Sequence, residues 1–284
     1  MSVVIPKQLS IFFSSDPADG AQNVSADGTK FSISLNNAIN IPKGSVSCEV
    51  GIQSASIWNT SPNLSPDFNN NKFIFTTSNA AQPGTTTITF PEGLYSLTNF
   101  NTFLSSQFIN LGLPNNLITL VADTSTQKTV LTFLEAGDQV DFTGAGTCRE
   151  VLGFSSRLSP LTAQVAGFSD FSDDEAAFNR NNVYVIRGDV VNSGIPYNNR
   201  AANILSSVPI TVRPGSQINY SPTNVLWSQA NELIGNPRSN LSFELSNQAL
   251  KPTPTAGDYW SFVLTIRYSV LLSNEALPLN PSGS

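Results

Sequence analysis

The chain has 284 residues, of which 40% are hydrophobic and only 12% charged, with a net charge of -6 at pH 7. That apolar share supports a packed core and excludes a disordered chain, while Asn, Ser and Thr stand where charge usually covers a soluble surface. The 14 Lys and Arg residues form no run, which excludes binding of nucleic acid by phosphate neutralisation.

Residues 1–30 are polar, contain a Pro17–Gly20 turn region and read as an extended N-terminal arm. The opening MSVVIPKQL lacks a basic start followed by a long apolar run, so no signal peptide is expected. No stretch reaches the roughly 20 apolar residues of a membrane-spanning helix. Residues 31–35 (FSISL) alternate apolar and polar side chains, the period of a half-buried strand. Asn36 and Asn37 then break the chain before a long strand over 45–58, with Val46, Cys48, Val50 and Ile52 on one face.

From 59 to 180 the pattern changes. A loop rich in Pro and Asn precedes paired strands at 73–77 and 85–90. A helix follows over 97–111, with Leu97, Phe100, Phe103, Leu104 and Phe108 at helical spacing and Ser96 as N-cap. Short strands at 117–122, 130–134 and 140–142 and a helical turn at 151–154 complete a compact α+β unit, closed by a Pro/Gly/Ser-rich stretch to about Asp174. After Asn181 the chain is β again, with strands expected at 183–191, 204–210, 217–220, 225–227, 241–245 and 260–271. Residues 273–284 are a polar C-terminal tail.

Two strands in 31–58 and six in 181–272 make eight, the count of a jelly roll. The expected fold is therefore mainly β: a single eight-stranded jelly roll interrupted by a large α+β insertion at 59–180, longer than any ordinary loop.

The chain contains no histidine. This removes the commonest general base, the Ser-His and Cys-His nucleophile pairs and the commonest zinc ligand. No Walker loop, no GxGxxG and no GxSxG elbow is present. The one dense acidic run, Asp170, Asp173, Asp174 and Glu175, lacks the Gly and spacing of a calcium loop and reads as a solvated turn before a strand. No catalytic residue, cofactor or metal site is expected, and the chain reads as a non-enzyme.

Cys48 and Cys148 are too few for a disulfide framework and read as free, buried thiols of a protein made in the cytosol. The sequons at Asn23, Asn59, Asn63, Asn219 and Asn240 then read as chance matches. The 18 Phe and most of the 3 Trp residues are explained by core packing. Trp58 and Trp227, near strand ends, are the two candidate interface anchors.

The order of several segments resembles a known family. TITFPEGLYSLTNFNTFLSSQF, ITLVAD, VLTFL and VLGF resemble the front half of penton proteins from virophages, Polinton-type elements and related eukaryotic DNA viruses. VYVIRGDVVNSG, NILSSVPI, LSFELSN and YWSFVLTIRY resemble the back half, and the likeness runs over most of residues 31–270. The resemblance implies a capsid subunit that forms a homopentamer at the icosahedral five-fold vertices of a virion. It also implies contact with surrounding double-jelly-roll major capsid trimers, and an outward insertion able to carry a spike or fibre. Within it, Arg187-Gly188-Asp189 spells a tripeptide that integrins bind, but β-branched residues flank it, so it reads as strand, with Gly188 marking a bulge or a close backbone approach. Two other readings fit the same sequence: a small double-jelly-roll capsid protein forming trimers, and a receptor- or glycan-binding spike head with the loops of 59–180 at its binding surface.

Overall fold

A computed structural model describes residues 3–178, 181–191 and 202–272. The chain is mainly β, built from antiparallel sheets, and divides into two compact units: residues 1–59 with 181–284, and residues 60–180. The first unit opens with β1 (Val3–Ser14), β2 (Lys30–Ile39) and β3 (Ser45–Trp58). The second holds β4 (Lys72–Thr77), β5 (Gly84–Thr89), α1 (Leu97–Asn110), β6 (Ile118–Asp123), β7 (Lys128–Phe133), β8 (Gln139–Asp141), α2 (Arg149–Leu152), β9 (Leu158–Ser159) and β10 (Ser169–Phe171). The chain then returns to the first unit with β11 (Val183–Gly188), β12 (Ile204–Pro209), β13 (Gln217–Tyr220), β14 (Ser228–Gln229), β15 (Arg238–Ser246) and β16 (Ser261–Leu272).

The first unit is two sheets around one core. One sheet has the order β1-β16-β3-β13, with β14 also on β3; the other has the order β12-β11-β15-β2. Alternation along each strand sends one row inward. Phe262, Leu264 and Ile266 of β16 and Leu241, Phe243 and Leu245 of β15 belong to a single buried cluster. Aromatic rings join the two sheets: Phe13 lies 4.9 Å from Phe243, and Phe31 meets Trp260 edge-on at 5.1 Å. Burying each such ring contributes about 1.5–3 kcal/mol.

Several expectations give way here. Residues 3–14 are not a free arm: β1 pairs with β16 along its whole length, from Val3 opposite Leu272 to Ser14 opposite Ser261, and buries Phe13. Pro6 and Lys7 hide the period-two pattern of Ile5, Leu9, Ile11 and Phe13, and both residue types are at home on an edge strand. Asn36 and Asn37 do not end β2, which runs on to Ile39 across a register shift against β15. Strand β11 stops at Gly188 rather than continuing to 191. Residues 225–227 form no strand, and the pairing with β3 falls instead on Ser228 and Gln229. Three strands thus precede the 60–180 unit and six follow it. The expected C-terminal tail, 273–284, lies outside the described residues.

In the second unit, α1 packs with two small sheets, β5-β4-β8-β9 and β10-β7-β6. Ser96 caps α1 by accepting from the Asn99 N–H at 3.2 Å, and Phe100, Leu104 and Phe108 form its buried stripe. Phe73, Phe75, Phe90, Phe133 and Phe142 complete the core. The stretch leading to Asp174 is not plain loop, since it contributes β9 to one sheet and β10 to the other.

Asn side chains substitute for backbone partners inside this unit. The Asn63 amide donates to the carbonyls of Tyr95 (2.8 Å) and Phe178 (2.9 Å) and its oxygen accepts from the Tyr95 N–H (2.9 Å). Asn70 donates to the Asn63 carbonyl and Asn71 to that of Phe90. These three Asn side chains therefore satisfy buried backbone groups rather than covering the surface.

Candidate functional site

The surface with the most unusual chemistry is the outward side of the β1-β16-β3 sheet. Because Phe13 and Phe262 point into the core, their neighbours Phe12 and Val263 point out. Phe12 is 62% exposed. Beside it Thr265 joins two strands through its hydroxyl, 3.1 Å from Ser10 Oγ and donating to Gln53 Oε1 at 3.0 Å. Further along, Arg267 Nε donates to Glu49 Oε2 at 2.7 Å, and Gln229 donates to the same carboxylate at 3.1 Å.

The guanidinium of Arg267 lies 4.0 Å above the Trp227 ring. The 225–227 segment reaches this position because β3 has Gly51 beneath it. A Cβ at Gly51 would stand 2.4 Å from Val225 Cγ1 and 2.8 Å from the Leu226 carbonyl oxygen. The signal in the sequence is a glycine inside a strand, which marks close backbone approach.

The two proposed anchors are not brought together. Trp227 is half-buried under Arg267, whereas Trp58 is 38% exposed at the far end of β3, opposite Gln217. Eight residue steps along β3 separate Trp58 from Val50, the partner of Ser228, a span of roughly 26 Å.

On the other sheet, Arg187 and Lys30 flank Glu244 at 3.5 and 3.4 Å beside a cleft of about 340 Å³. Arg187 and Gly188 end β11, and Gly188 is buried where an added Cβ would come within 2.8 Å of Phe243 and 2.9 Å of Leu205. The pairing of β11 with β12 also shifts register between Ile186 and Arg187. Asp189 Oδ1 accepts from the Ser242 N–H at 3.0 Å. Arg187 and Gly188 thus belong to the sheet, and the Arg187 and Asp189 side chains both bond to β15.

The acidic run is a structural clamp in part. Arg157 donates to Asp170 at 2.8 Å and to Asp173 at 2.9 Å, and also to the carbonyls of Leu158 and Phe171. Burial pushes the Asp173 carboxyl up, but the Ser155 N–H, Arg157 and the Ser155 hydroxyl outweigh it and hold it at about 2. The reading of the run as a solvated turn before a strand is corrected for Asp170, which is half-buried and lies within β10, while Asp173 is exposed as well as clamped. Asp174 and Glu175 are exposed.

Both cysteines are buried and free; burial, with Glu232 and Glu49 nearby, pushes the Cys48 thiol up to about 11, and burial also raises that of Cys148. Among the described residues no three His, Cys, Asp or Glu side chains cluster as a metal site, and no helix is long and apolar enough to cross a membrane.

No family model matches the chain, and no curated protein matches it. Among solved structures, the chain is similar to the crystal structure of the mavirus penton protein, with 9% identity and a TM-score of 0.46, covering 95% of this chain and 100% of that one.

Proposed function

We propose that this chain is a non-enzymatic capsid subunit, a single jelly roll with an inserted α+β unit, that forms the pentameric vertex of an icosahedral DNA virus particle. The observation that carries the reading is the strand order. Setting aside the two-residue β14, the first unit has eight strands in chain order, arranged 1-8-3-6 in one sheet and 5-4-7-2 in the other. Consecutive strands up to the third, and again from the fifth, alternate between sheets, as two interleaved Greek keys require. The 60–180 unit enters between the third and fourth strands.

The order of sequence segments that resembles penton proteins supports the same reading, as does the low charge, which suits a subunit surrounded by neighbours. A trimer-forming protein with two jelly rolls finds no support in the 60–180 unit, which packs a helix against sheets of three and four strands. Major capsid trimers at the rim and a spike on the insertion belong to the same proposal. The test is the mass of the native protein. A pentamer of about 152 kDa, five times 30.4 kDa, is expected; a trimer overturns the vertex assignment.

A further inference from the structure

We infer that the β1-β16-β3 sheet is the surface through which one copy of this chain holds the next. The inference rests on the capsid reading and names the contact that a ring would use. Its first support is an asymmetry between the two sheets. Among the described residues, β1 exposes Val4 and Phe12 on its outward side and β3 exposes Trp58 there, while Ile5 and Leu9, in step with the buried Phe13, are exposed on the inner side of the edge strand. Leu271 of β16 adds to the same sheet, whereas no large apolar side chain of β2, β11, β12 or β15 is exposed. Exposed large apolar side chains found on this sheet and absent from the other one point to it as the interaction surface.

The second support is the edge. No described strand pairs with the outer side of β1, a strand of 12 residues. Two other edges carry a local cover: Gln22 bridges to Ser32 of β2 through two backbone bonds of 2.7 Å, and in the second unit the Asn101 side chain bonds both backbone groups of Leu120 on β6. Leaving one long apolar edge open while closing others is hazardous unless something covers it.

Size and charge select the occupant. Twelve residues span roughly 40 Å, and a face at most three strands wide gives on the order of 600 Å², of the same order as the ~800 Å² per partner of a stable protein contact and far more than a sugar covers. The charged side chains of these strands are Lys7 and the paired Glu49 and Arg267. The face is therefore near neutral in a chain of net charge -6, so a second copy approaches it without like-charge repulsion. The mixture of Phe12 with Ser, Thr and Gln is also that of an interface with an anchor and a polar surround.

The test compares native mass for wild-type protein, Phe12→Asp and Leu161→Asp, the last at an exposed apolar position of the second unit, with circular dichroism and Tm confirming the fold. The milder Phe12→Ser serves if Phe12→Asp fails to fold. Wild type and Leu161→Asp should assemble equally, and Phe12→Asp should shift the equilibrium at least tenfold towards monomer. A pentamer that Phe12→Asp and Phe12→Ser leave intact overturns this surface but not the vertex reading. A trimer that Phe12→Asp dissociates keeps the surface and overturns the vertex. Wild-type protein that stays monomeric at every attainable concentration overturns the inference, as does a neutral oligosaccharide bound at Phe12 without self-association.

Discussion

The Arg267 guanidinium sits 4.0 Å above the Trp227 ring while its Nε holds Glu49 at 2.7 Å. Trp227 is thereby committed to its own chain: it is the cover over the outward side of β3. A double-mutant cycle of Arg267→Ala and Trp227→Ala should give a coupling of about 0.5–1 kcal/mol, the range for a partly exposed cation over an aromatic face. Urea denaturation of the four proteins measures it. Additive losses would mean that the ring only fills space and that the ion pair alone positions Arg267.

Gly51 should be intolerant for a reason visible in its surroundings. An added methyl meets Val225 and the Leu226 carbonyl at 2.4 and 2.8 Å, so Gly51→Ala should cost about 1–3 kcal/mol by displacing the 225–227 segment. Gly44 has nothing within 4 Å of its added Cβ and no positive φ, so Gly44→Ala should be neutral or slightly stabilising. Thermal melts of the two variants decide the point, and equal Tm values would show that the segment yields freely.

These two residues also mark where the sequence was readable. Phe262, Leu264 and Ile266 announce β16 because alternation is a local property, and the α1 stripe and its Ser96 cap are equally local. β1 is illegible because Pro6 and Lys7 interrupt its alternation and its partner β16 lies about 250 residues away. Val225 and Leu226 carry strand-like side chains, yet what places them is a missing side chain on another strand. The Asn63, Asn70 and Asn71 amides read as surface loop because composition does not reveal which backbone groups are buried. Trp58 and Trp227 look alike in the sequence, each a Trp near a strand end, and the structure gives them different surroundings.

The clamp around Arg157 predicts an acid-sensitive second unit. Asp173 is held at about 2, below its ordinary value of 3.8. A depressed folded value contributes stability that is present above the unfolded value and lost as pH falls through the folded one. Wild-type stability should therefore decline between about pH 4 and pH 2 more steeply than that of Asp173→Asn. The Asp173 side chain is 38% exposed, so the difference at pH 7 should be only about 1 kcal/mol once solvent screening is allowed for. Parallel pH profiles would refute the clamp as a source of stability.

Asp138 carries the opposite sign. It is 2% exposed, and burial pushes its carboxyl above 3.8, with Glu135 adding in the same direction against the Thr77 hydroxyl. A raised folded value means that the group stabilises the fold most when protonated, below its unfolded value, and that this stability is lost as pH rises through the folded value. Asp138→Asn removes the buried charge, so it should be more stable than wild type at pH 7. The advantage should shrink once pH falls below the folded value and vanish below the unfolded one, where the carboxyl is neutral in both states. Chemical denaturation at pH 7, 5 and 3 measures the gap. An advantage that stays constant with pH would show that folding does not shift the Asp138 carboxyl, and a loss of stability at pH 7 would show that its ionised form is bonded well enough to offset burial.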